Sequence, residues 1–501
     1  MEHPFSRSGR LCLWAGATSF LLVFTGLACV PARAAVSSDG VQRDLDATGA
    51  QIQRAPVDPR IVAALSRISA TQIQHTIETL VSFRTRNTLS SMETDLPAGQ
   101  GANAAADWIE SELKGYSSAC GGCLEVKRDT FTEPAQTGPH ARILRPTTIT
   151  NVYAVLRGTD PAQANRVILV TGHYDSRITD VMDDHGAAPG ANDDASGVAV
   201  SLECARVLSK LKFPATLVFA TVAGEEQGLY GSAHLAKLAK SEGWQVEAAL
   251  NNDIVGGNTA PGDTLQDKSD VRVFSEGIPA TATPAEVRRI VALGYDSDSP
   301  SRELARAIAD VARTYDPAGA DASLHPVLEF RTDRFLRGGD HISFNEQGFA
   351  AVRFTEWRED FNHQHQNVRT ENGVEYGDLL KFVDFHYVAR VARLNAATMA
   401  TLAAAPPPPL NVQIVAGNLD NNSTLRWTGA PGAPAGTRYE IVWRELAAPD
   451  WQRFVAAHQP DNAGGGYAIT LPISKDNVIF GVRAVDEAGH ASPAVVPAPV
   501  R

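Results

Sequence analysis

The sequence predicts an α/β fold, in which a mixed, largely parallel central β-sheet is flanked by helices and is followed by a C-terminal all-β sandwich. In the larger part of the chain, apolar runs typical of buried strands alternate with segments whose apolar residues recur at helical spacing. After the four prolines of 406–409, apolar and polar residues alternate with a period of two. A chain of 501 residues is long enough for both units.

The α/β part is predicted from strand and helix signals that follow one another. The predicted strands are 166–171, 215–223, 247–252 and 350–354. The predicted helices are 195–210, 231–240, 301–315 and 377–404. Such alternation is typical of parallel strands covered by helices. We expect residues 256–294 to form a loop that shapes the substrate pocket.

The boundaries follow from these patterns and from the N-terminus. We predict a signal peptide at 1–34, a disordered mature N-terminus at 35–57, an α/β domain at 58–405, a Pro-rich linker at 406–410 and a sandwich at 411–501. The sandwich resembles a fibronectin type III module, with Trp427 and the strand 480–485 in plausible places.

The N-terminal segment predicts export. Two arginines precede an apolar stretch at 11–30, and Ala32-Arg-Ala34 provides a small-x-small cleavage site. The alternative is a lipoprotein signal that is cut before Cys29. We therefore expect a periplasmic or secreted protein. In that setting Cys120-Gly-Gly-Cys123 predicts a local disulfide, and Cys204 predicts a buried free thiol.

The composition limits the partners. Hydrophobic residues make up 44% and charged residues 20% of the chain, as in soluble globular proteins. The net charge of −12 argues against a nucleic-acid partner. The oligomeric state stays open.

Imidazoles and carboxylates stand where several predicted strands end. They are His173, Asp175, Asp193, Glu225, Glu226, Asp253 and His363. Side chains at the carboxyl ends of strands in an open α/β sheet converge on one site. Zinc accepts imidazole nitrogen and carboxylate oxygen, and two neighbouring zinc ions need a bridging carboxylate. Two histidines and three acids would suffice as ligands, so an acid remains that can act as a general base.

The motifs resemble a known family. They are His173-Tyr-Asp-Ser176, Pro189-Gly-Ala-Asn-Asp-Asp-Ala-Ser-Gly197, Gly224-Glu-Glu-Gln-Gly-Leu-Tyr-Gly-Ser232 and Asn252-Asp253. Over roughly residues 60–405 the chain looks like the co-catalytic zinc aminopeptidases of family M28, and we expect a bacterial, exported member. The resemblance implies a zinc-peptidase phosphorylase/hydrolase-like fold and two zinc ions per chain.

The resemblance also implies a role for each site residue. Asp193 would bridge the two zinc ions, His173 and Asp253 would complete one, and Glu226 and a late histidine would complete the other. Glu225 would be the general base, and Asp175 would hold the second ring nitrogen of His173. The family often has a cis peptide after the bridging aspartate, which here is Asp193–Asp194.

The late histidine has two candidates. Family members typically show His-x-x-x-Asp, and His363 with Asn367 fits this spacing, whereas His365 would place Arg369 at the last position. We therefore favour His363 over His365. The stretch Gly339-Asp-His341 resembles a Ser-Asp-His stretch of the family and is read as near-site or structural.

The function that follows is hydrolysis of the N-terminal peptide bond of peptides. A single-zinc acyltransferase like the glutaminyl cyclases and a carboxypeptidase or dipeptidase of the same fold are alternatives. An exported binding protein without activity is an alternative from another class. The sandwich could contact a cell surface or a polysaccharide.

Overall fold

The computed structural model describes residues 42–316, 323–457 and 466–501. The predicted signal peptide and residues 35–41 lie outside these ranges. The helices are α1 (Asp44–Ala47), α2 (Pro59–Leu65), α3 (Ala70–Ser82), α4 (Gly101–Ala119), α5 (Ala195–Leu208), α6 (Glu225–Gly228), α7 (Tyr230–Ser241), α8 (Pro284–Leu293), α9 (Pro300–Tyr315), α10 (His341–Asn345) and α11 (Phe385–Ala404).

The strands divide between a central sheet and a sandwich. They are β1 (Ala50–Gln51), β2 (Glu125–Glu133), β3 (Thr147–Leu156), β4 (Arg166–His173), β5 (Thr216–Val222), β6 (Gln245–Asn252), β7 (Asp270–Ser275), β8 (His325–Glu329), β9 (Ala351–Glu356), β10 (Arg369–Glu371), β11 (Val374–Tyr376), β12 (Leu410–Val415), β13 (Ser423–Thr428), β14 (Arg438–Glu445), β15 (Arg453–Ala457), β16 (Gly466–Leu471), β17 (Val478–Val485) and β18 (Ala498–Val500).

The central sheet has eight strands in the order β2-β3-β5-β4-β6-β9-β7-β8. Its middle strands β5, β4, β6 and β9 run parallel, whereas β3 pairs antiparallel with β5 and β7 antiparallel with β9. Every residue of β4 and β5 is buried, which explains their continuous apolar sequences. The predicted mixed, largely parallel sheet is confirmed.

Helices cover both faces of this sheet. On one face α5 packs on β4, and α3 and α11 pack on α5. On the other face α7 and α10 lie against β6. Because α5 is sandwiched between the sheet and further helices, nearly all of its residues are buried. The helices therefore cover the two faces of the sheet, and the carboxyl ends of the parallel strands stay open at one end of it.

Two predicted segments differ from the structure. The segment 256–294, expected to be one loop, contains β7 and α8. Strand β7 is short and is stabilised by pairing with β9 and β8, which lie far away in sequence. The predicted helix at 377–404 begins only at Phe385, because the Asp384 side chain accepts hydrogen bonds from the backbone N–H groups of residues 386 and 387.

The C-terminal segment and strand β1 together form two four-stranded sheets, with the orders β1-β15-β14-β17 and β16-β13-β12-β18. Trp427, Trp443 and Phe480 lie between them in a buried core. The predicted sandwich is confirmed, and the resemblance to a fibronectin type III module stays a prediction.

The N-terminal segment is part of this sandwich. Leu45 is buried in the sandwich core, Ala50 pairs with Phe454, and the indole Nε1 of Trp443 donates to the carbonyl of Leu45 at 3.0 Å. The prediction of disorder is therefore wrong for residues 43–57. The polar sequence of this segment did not predict an ordered structure, because the contacts that stabilise it come from the other end of the chain.

A buried ion network joins the α/β part to the sandwich. The Arg444 guanidinium lies 2.5 Å from Asp298 Oδ1, and Arg306 lies 3.4 Å from the same oxygen. The indole of Trp451 donates to Glu303 Oε2 at 3.0 Å. Arg306 and Arg444 are each only 1% exposed, so these charges depend on one another.

The described residues were also searched for membrane spans. Among them, no helix combines the length and apolar character that crossing a bilayer requires.

Replacement of Arg444 by Met tests the ion network. The change leaves the buried Asp298 carboxylate with one distant partner, and we expect the free energy of unfolding to fall by about 3–5 kcal/mol. Arg426→Met removes an exposed arginine from the same sandwich and should change it by less than about 0.5 kcal/mol. Urea denaturation measures both, and equal stability of the two variants would contradict the interpretation.

Candidate metal centre

The acidic and imidazole residues predicted from the sequence come from neighbouring elements at one edge of the sheet. His173 ends β4, Asp253 follows β6, and Glu225 and Glu226 begin α6 directly after β5. Asp193 lies in the loop before α5. Because β5, β4 and β6 are adjacent and parallel, their carboxyl ends deliver these side chains to the same place.

The ligand atoms form two groups, each with atoms within 4.8 Å of one another. The first cluster contains His173, Glu225 and Asp253, and the second cluster contains Asp193, Glu226 and His365. We keep these two names below.

Asp193 connects the two clusters. Its Oδ1 lies 3.2 Å from His173 Nε2, and its Oδ2 lies 2.9 Å from His365 Nε2. One carboxylate thus faces an imidazole of each cluster through a different oxygen. This is the position that the sequence assigned to a bridging ligand.

The remaining distances complete each cluster. In the second cluster His365 Nε2 lies 3.2 Å from Glu226 Oε1, and in the first His173 Nε2 lies 3.9 Å from Asp253 Oδ1. Glu226 Oε1 is buried and accepts no hydrogen bond of normal geometry. A buried carboxylate oxygen without a donor is costly, and a cation would compensate it.

The raised pKa values of the two cluster histidines reflect the same concentration of negative charge. Burial alone would lower the pKa of His365, but the carboxylates of Glu226 and Asp193 raise it to about 10. The pKa of His173 is also raised, against the effect of its burial, by Glu225, Asp175 and Asp193. The two imidazoles and four carboxylates of these clusters suit zinc ions, which prefer these donors.

Asp175 orients a ligand in each cluster. His173 Nδ1 lies 3.1 Å from the Asp175 carbonyl oxygen and 3.4 Å from its Oδ1. Asp175 Oδ2 accepts hydrogen bonds from the Thr88 hydroxyl at 2.8 Å and from the Glu226 backbone N–H at 3.2 Å. The side chain therefore ties the imidazole of the first cluster to the backbone of the second.

The loop that carries Asp193 is held from both sides. The peptide bond Asp193–Asp194 is cis, as the resemblance implied. Asp378, which the sequence reading missed, accepts the Asp193 backbone N–H at 2.7 Å. Asp194 caps α5 and accepts the His173 backbone N–H at 3.0 Å. Asp378 lies in a loop, and no motif in its local sequence marks it as part of a site.

His363 is not in either cluster, so the preference for it over His365 is wrong. Its ring stacks on Phe382 with centroids 3.6 Å apart, and its Nδ1 lies 3.6 Å from Asp360. His365 has a φ of 54°, a left-handed conformation in the turn that brings its ring to Asp193. The spacing argument failed because the Asn367 side chain instead accepts a hydrogen bond from the Thr179 backbone.

Asp340 and His341 are near the site without belonging to a cluster. Both are fully buried, and both carboxylate oxygens of Asp340 lack a hydrogen bond. Burial, with the negative charges of Asp253 and Asp175, raises the pKa of Asp340 to about 7. The reading of this stretch as near-site and not as a ligand agrees with its position.

A further group of possible ligands lies at the surface. Glu93, Asp184 and His185 come together there. The His185 ring lies between the carboxylates of Asp184 and Asp95, at 2.6 and 3.0 Å. A protonated imidazole between two acids accounts for this arrangement without an ion.

Comparison with known proteins identifies the family to which the chain belongs. The model of peptidase family M28 matches residues 151–378. A "Probable zinc metalloprotease" from Pyrenophora teres f. teres is 44% identical over 454 residues, which cover 90% of this chain and 89% of the relative. One from Pyricularia oryzae is 45% identical over 448 residues, 88% of this chain and 85% of the relative.

Among solved structures, the LapA aminopeptidase of Legionella pneumophila is similar with a TM-score of 0.45 and 18% identity, over 70% of this chain and 77% of that one. The sequence relatives named above are fungal, which contradicts the expectation of a bacterial source.

The two late histidines provide a matched test of the site. His365→Ala removes an imidazole that faces Asp193 and Glu226, so we expect zinc affinity to fall by about a hundredfold or more. His363→Ala removes a ring that stacks on Phe382 and should keep the zinc content of the parent. Zinc is measured by elemental analysis after dialysis. Loss of zinc from the His363 variant alone would restore the original prediction.

Proposed function

We propose that this chain, which belongs to the zinc metalloproteases of peptidase family M28, is an aminopeptidase that holds two zinc ions and uses Glu225 as its general base. The observation that carries the proposal is the shared carboxylate of Asp193, whose two oxygens face the imidazoles of both clusters. A single ion would need only one of these faces.

The residues that would hold the ions follow from the distances. His173 and Asp253 would hold one ion, Glu226 and His365 would hold the other, and Asp193 would contact both. Bound zinc supplies Lewis-acid polarisation of the scissile carbonyl and stabilises negative charge that develops there.

Glu225 is suited to move a proton. It lies in the first cluster and is the first residue of α6, which follows β5. Burial, together with the carboxylates of Glu226 and Asp253, raises its pKa well above the usual value. A carboxylate poised in this way can take the proton of the attacking water and pass it to the leaving amine.

A small cavity beside Asp193 supports recognition of the free N-terminus of a peptide substrate. It has room for about one water molecule or one ammonium group. Its lining contains the carboxylates of Asp193, Glu356, Glu359, Asp360 and Asp378 and, within the described residues, no lysine or arginine. A carboxypeptidase would need a cation for the substrate carboxylate, whereas an acidic lining suits an ammonium group.

Asp360 is the candidate partner of that ammonium. Burial raises the pKa of Glu356 to about 8 and that of Asp378 to about 7, which weakens both as anions at neutral pH. Glu359 is already paired with two arginines, and Asp193 faces the two imidazoles. The Asp360 side chain lies 3.6 Å from His363 Nδ1, in the wall of the cavity. We propose that it binds the free amino group and thereby sets the cut at the first peptide bond.

Export completes the proposal. Cys120 and Cys123 form a disulfide, and Cys204 is buried and free, as the sequence predicted. A disulfide is typical of an oxidising compartment. Together with the apolar N-terminus, it supports a secreted peptidase that acts on peptides, with the sandwich available for contact with a cell surface.

Glu225→Gln tests the general base. The amide cannot accept the proton but fills the same space, so we expect turnover to fall by about 10²–10⁴-fold while zinc content is retained. Glu346→Gln, at an exposed glutamate beyond α10, should be silent. Hydrolysis of leucyl-anilide and elemental analysis provide the two readouts. Near-full activity of the Glu225 variant would exclude it as the base.

Substrate chemistry tests the specificity. We expect hydrolysis of peptides with a free N-terminus, none when that amine is acetylated, and no effect of amidating the C-terminus. Asp360→Asn should raise KM about tenfold or more, with a smaller effect on kcat. Exposed Glu371→Gln serves as the control. Cleavage of acetylated peptides would indicate a carboxypeptidase, and cyclisation of N-terminal glutamine with one zinc per chain would indicate a cyclase.

A further inference from the structure

The exposed phenylalanine, tyrosine and tryptophan side chains of the described residues lie close together in the sequence. They are Phe335, Trp357 and Phe361, and the fully exposed Leu336 stands beside the first of them. In the described ranges, six of the 15 exposed large apolar side chains fall within residues 335–374. Single exposed apolar residues are normal, whereas such a concentration is typical of a binding surface. We call Phe335, Leu336, Trp357 and Phe361 the apolar rim.

Phe335 and Leu336 belong to the loop between β8 and α10, and this loop is anchored to the first cluster. The carbonyl of Gly338 accepts a hydrogen bond from Arg353 Nη1 at 2.6 Å. Nη2 of the same arginine lies 2.8 Å from Asp253 Oδ1. Because Arg353 is buried between these two partners, it holds the loop beside the metal centre.

The same loop is also anchored to the carboxylate that both clusters share. Arg337 Nη1 donates to Gln364 Oε1 at 3.0 Å, and Gln364 Nε2 donates to Asp193 Oδ2 at 3.1 Å. The residue that follows Leu336 is thus connected to Asp193 through a single glutamine side chain. Two anchors on the two clusters place this part of the apolar rim next to the site.

The loop presents its two apolar side chains in a fixed way. Leu336 has a φ of 56°, in the left-handed region that residues other than glycine rarely adopt, and its side chain points into solvent. The guanidinium of Arg331 lies 4.0 Å from the centre of the Phe335 ring. Such a cation–π contact orders the ring at the surface, which lowers the entropy cost of binding.

The two other rim residues adjoin the small cavity beside Asp193. Glu356 and Asp360 line this cavity, and each is followed in the sequence by an exposed aromatic residue, Trp357 and Phe361. The chain therefore turns acids towards the cavity and aromatic rings towards solvent. The apolar rim is continuous with the place where the amino group of the substrate is proposed to bind.

A neighbouring loop is polar instead. The Thr179 backbone N–H donates to the Asn367 side chain at 3.1 Å, which places this loop beside the one that carries His365. It contains three aspartates, which are Asp180, Asp183 and Asp184. Apolar side chains of a bound peptide would therefore lose more water contact against the apolar rim than against this loop.

We propose that the apolar rim is an extended subsite for the residues that follow the scissile bond, so that peptides with apolar second and third residues are the preferred substrates. This inference rests on the proposed aminopeptidase function. The first residue is held by its amino group in the buried cavity beside Asp360, so only later residues reach the exposed rim. Two or three extended residues span roughly 7–11 Å, which limits the subsite to that part of the peptide.

Two tetrapeptides that differ only after the first residue test the subsite. Leu-Phe-Leu-Gly offers apolar side chains to the rim, whereas Leu-Gly-Gly-Gly offers none. We expect kcat/KM to be about tenfold or more higher for the first peptide, chiefly through a lower KM, because partial burial of one or two apolar side chains suffices for such a gain. Equal kcat/KM values for the two peptides would overturn the inference.

Rim variants test the residues. The double variant F335S/L336S removes two exposed side chains, and we expect the ratio of the two kcat/KM values to fall about tenfold, towards one. F361S, in the other part of the rim, should lower the ratio as well. L419S/L446S removes two exposed leucines of the sandwich and should keep the ratio of the parent. Variants that are folded by circular dichroism and keep the parent ratio at both rim positions contradict the proposal.

Other occupants of the rim are distinguished by the same proteins. If the rim covers a second copy of the chain, F335S/L336S converts a dimer to a monomer in sedimentation while the ratio stays unchanged, and the inference fails. The outcomes also separate this inference from the proposed function. Cleavage of neither tetrapeptide by the parent would defeat the aminopeptidase proposal. Cleavage of both with equal efficiency would leave that proposal intact and defeat only the role of the apolar rim.

Discussion

The carboxylate of Asp193 is the constraint on which the site depends. It must face His173 through one oxygen and His365 through the other, although His173 ends strand β4 and His365 lies in the turn between β9 and β10. The surrounding groups serve this placement, since Asp378 holds the Asp193 backbone and Asp175 ties the two clusters together. Such concentrated negative charge in a buried region is unfavourable unless cations compensate it. Folding of this region and metal binding are therefore coupled.

The sandwich belongs to the same folded unit as the site. Arg444 of the sandwich pairs with Asp298, and the N-terminal segment adds strand β1 to a sheet formed by the last part of the chain. Residues Arg43–Arg501 accordingly form one compact unit. This favours a structural role for the sandwich over that of a detachable module, because its removal would leave buried charges without partners.

Prediction from the sequence succeeded where a local pattern reports a local cause. Strands β4 and β5 carry continuous apolar runs because both faces of the sheet are covered, and the side chains that follow β4, β5 and β6 lie at the same end of the sheet. It failed where distant contacts decide. Strand β7 depends on pairing with β9, and residues 43–57 are ordered by the sandwich, neither of which leaves a strong local signal.

The sequence by itself determined the α/β class, the sandwich and the local disulfide, and its motifs and strand ends marked His173, Asp193, Glu226 and Asp253, which the structure brings into the two clusters. Only the tertiary structure decided between His363 and His365, since both lie in one polar loop and the turn at residue 365 selects the ring that reaches Asp193. It also revealed Asp378 and Arg353, whose roles come from packing against residues far away in the chain. Periodicity records which face of an element is buried, whereas the direction of a loop side chain is set by what surrounds it.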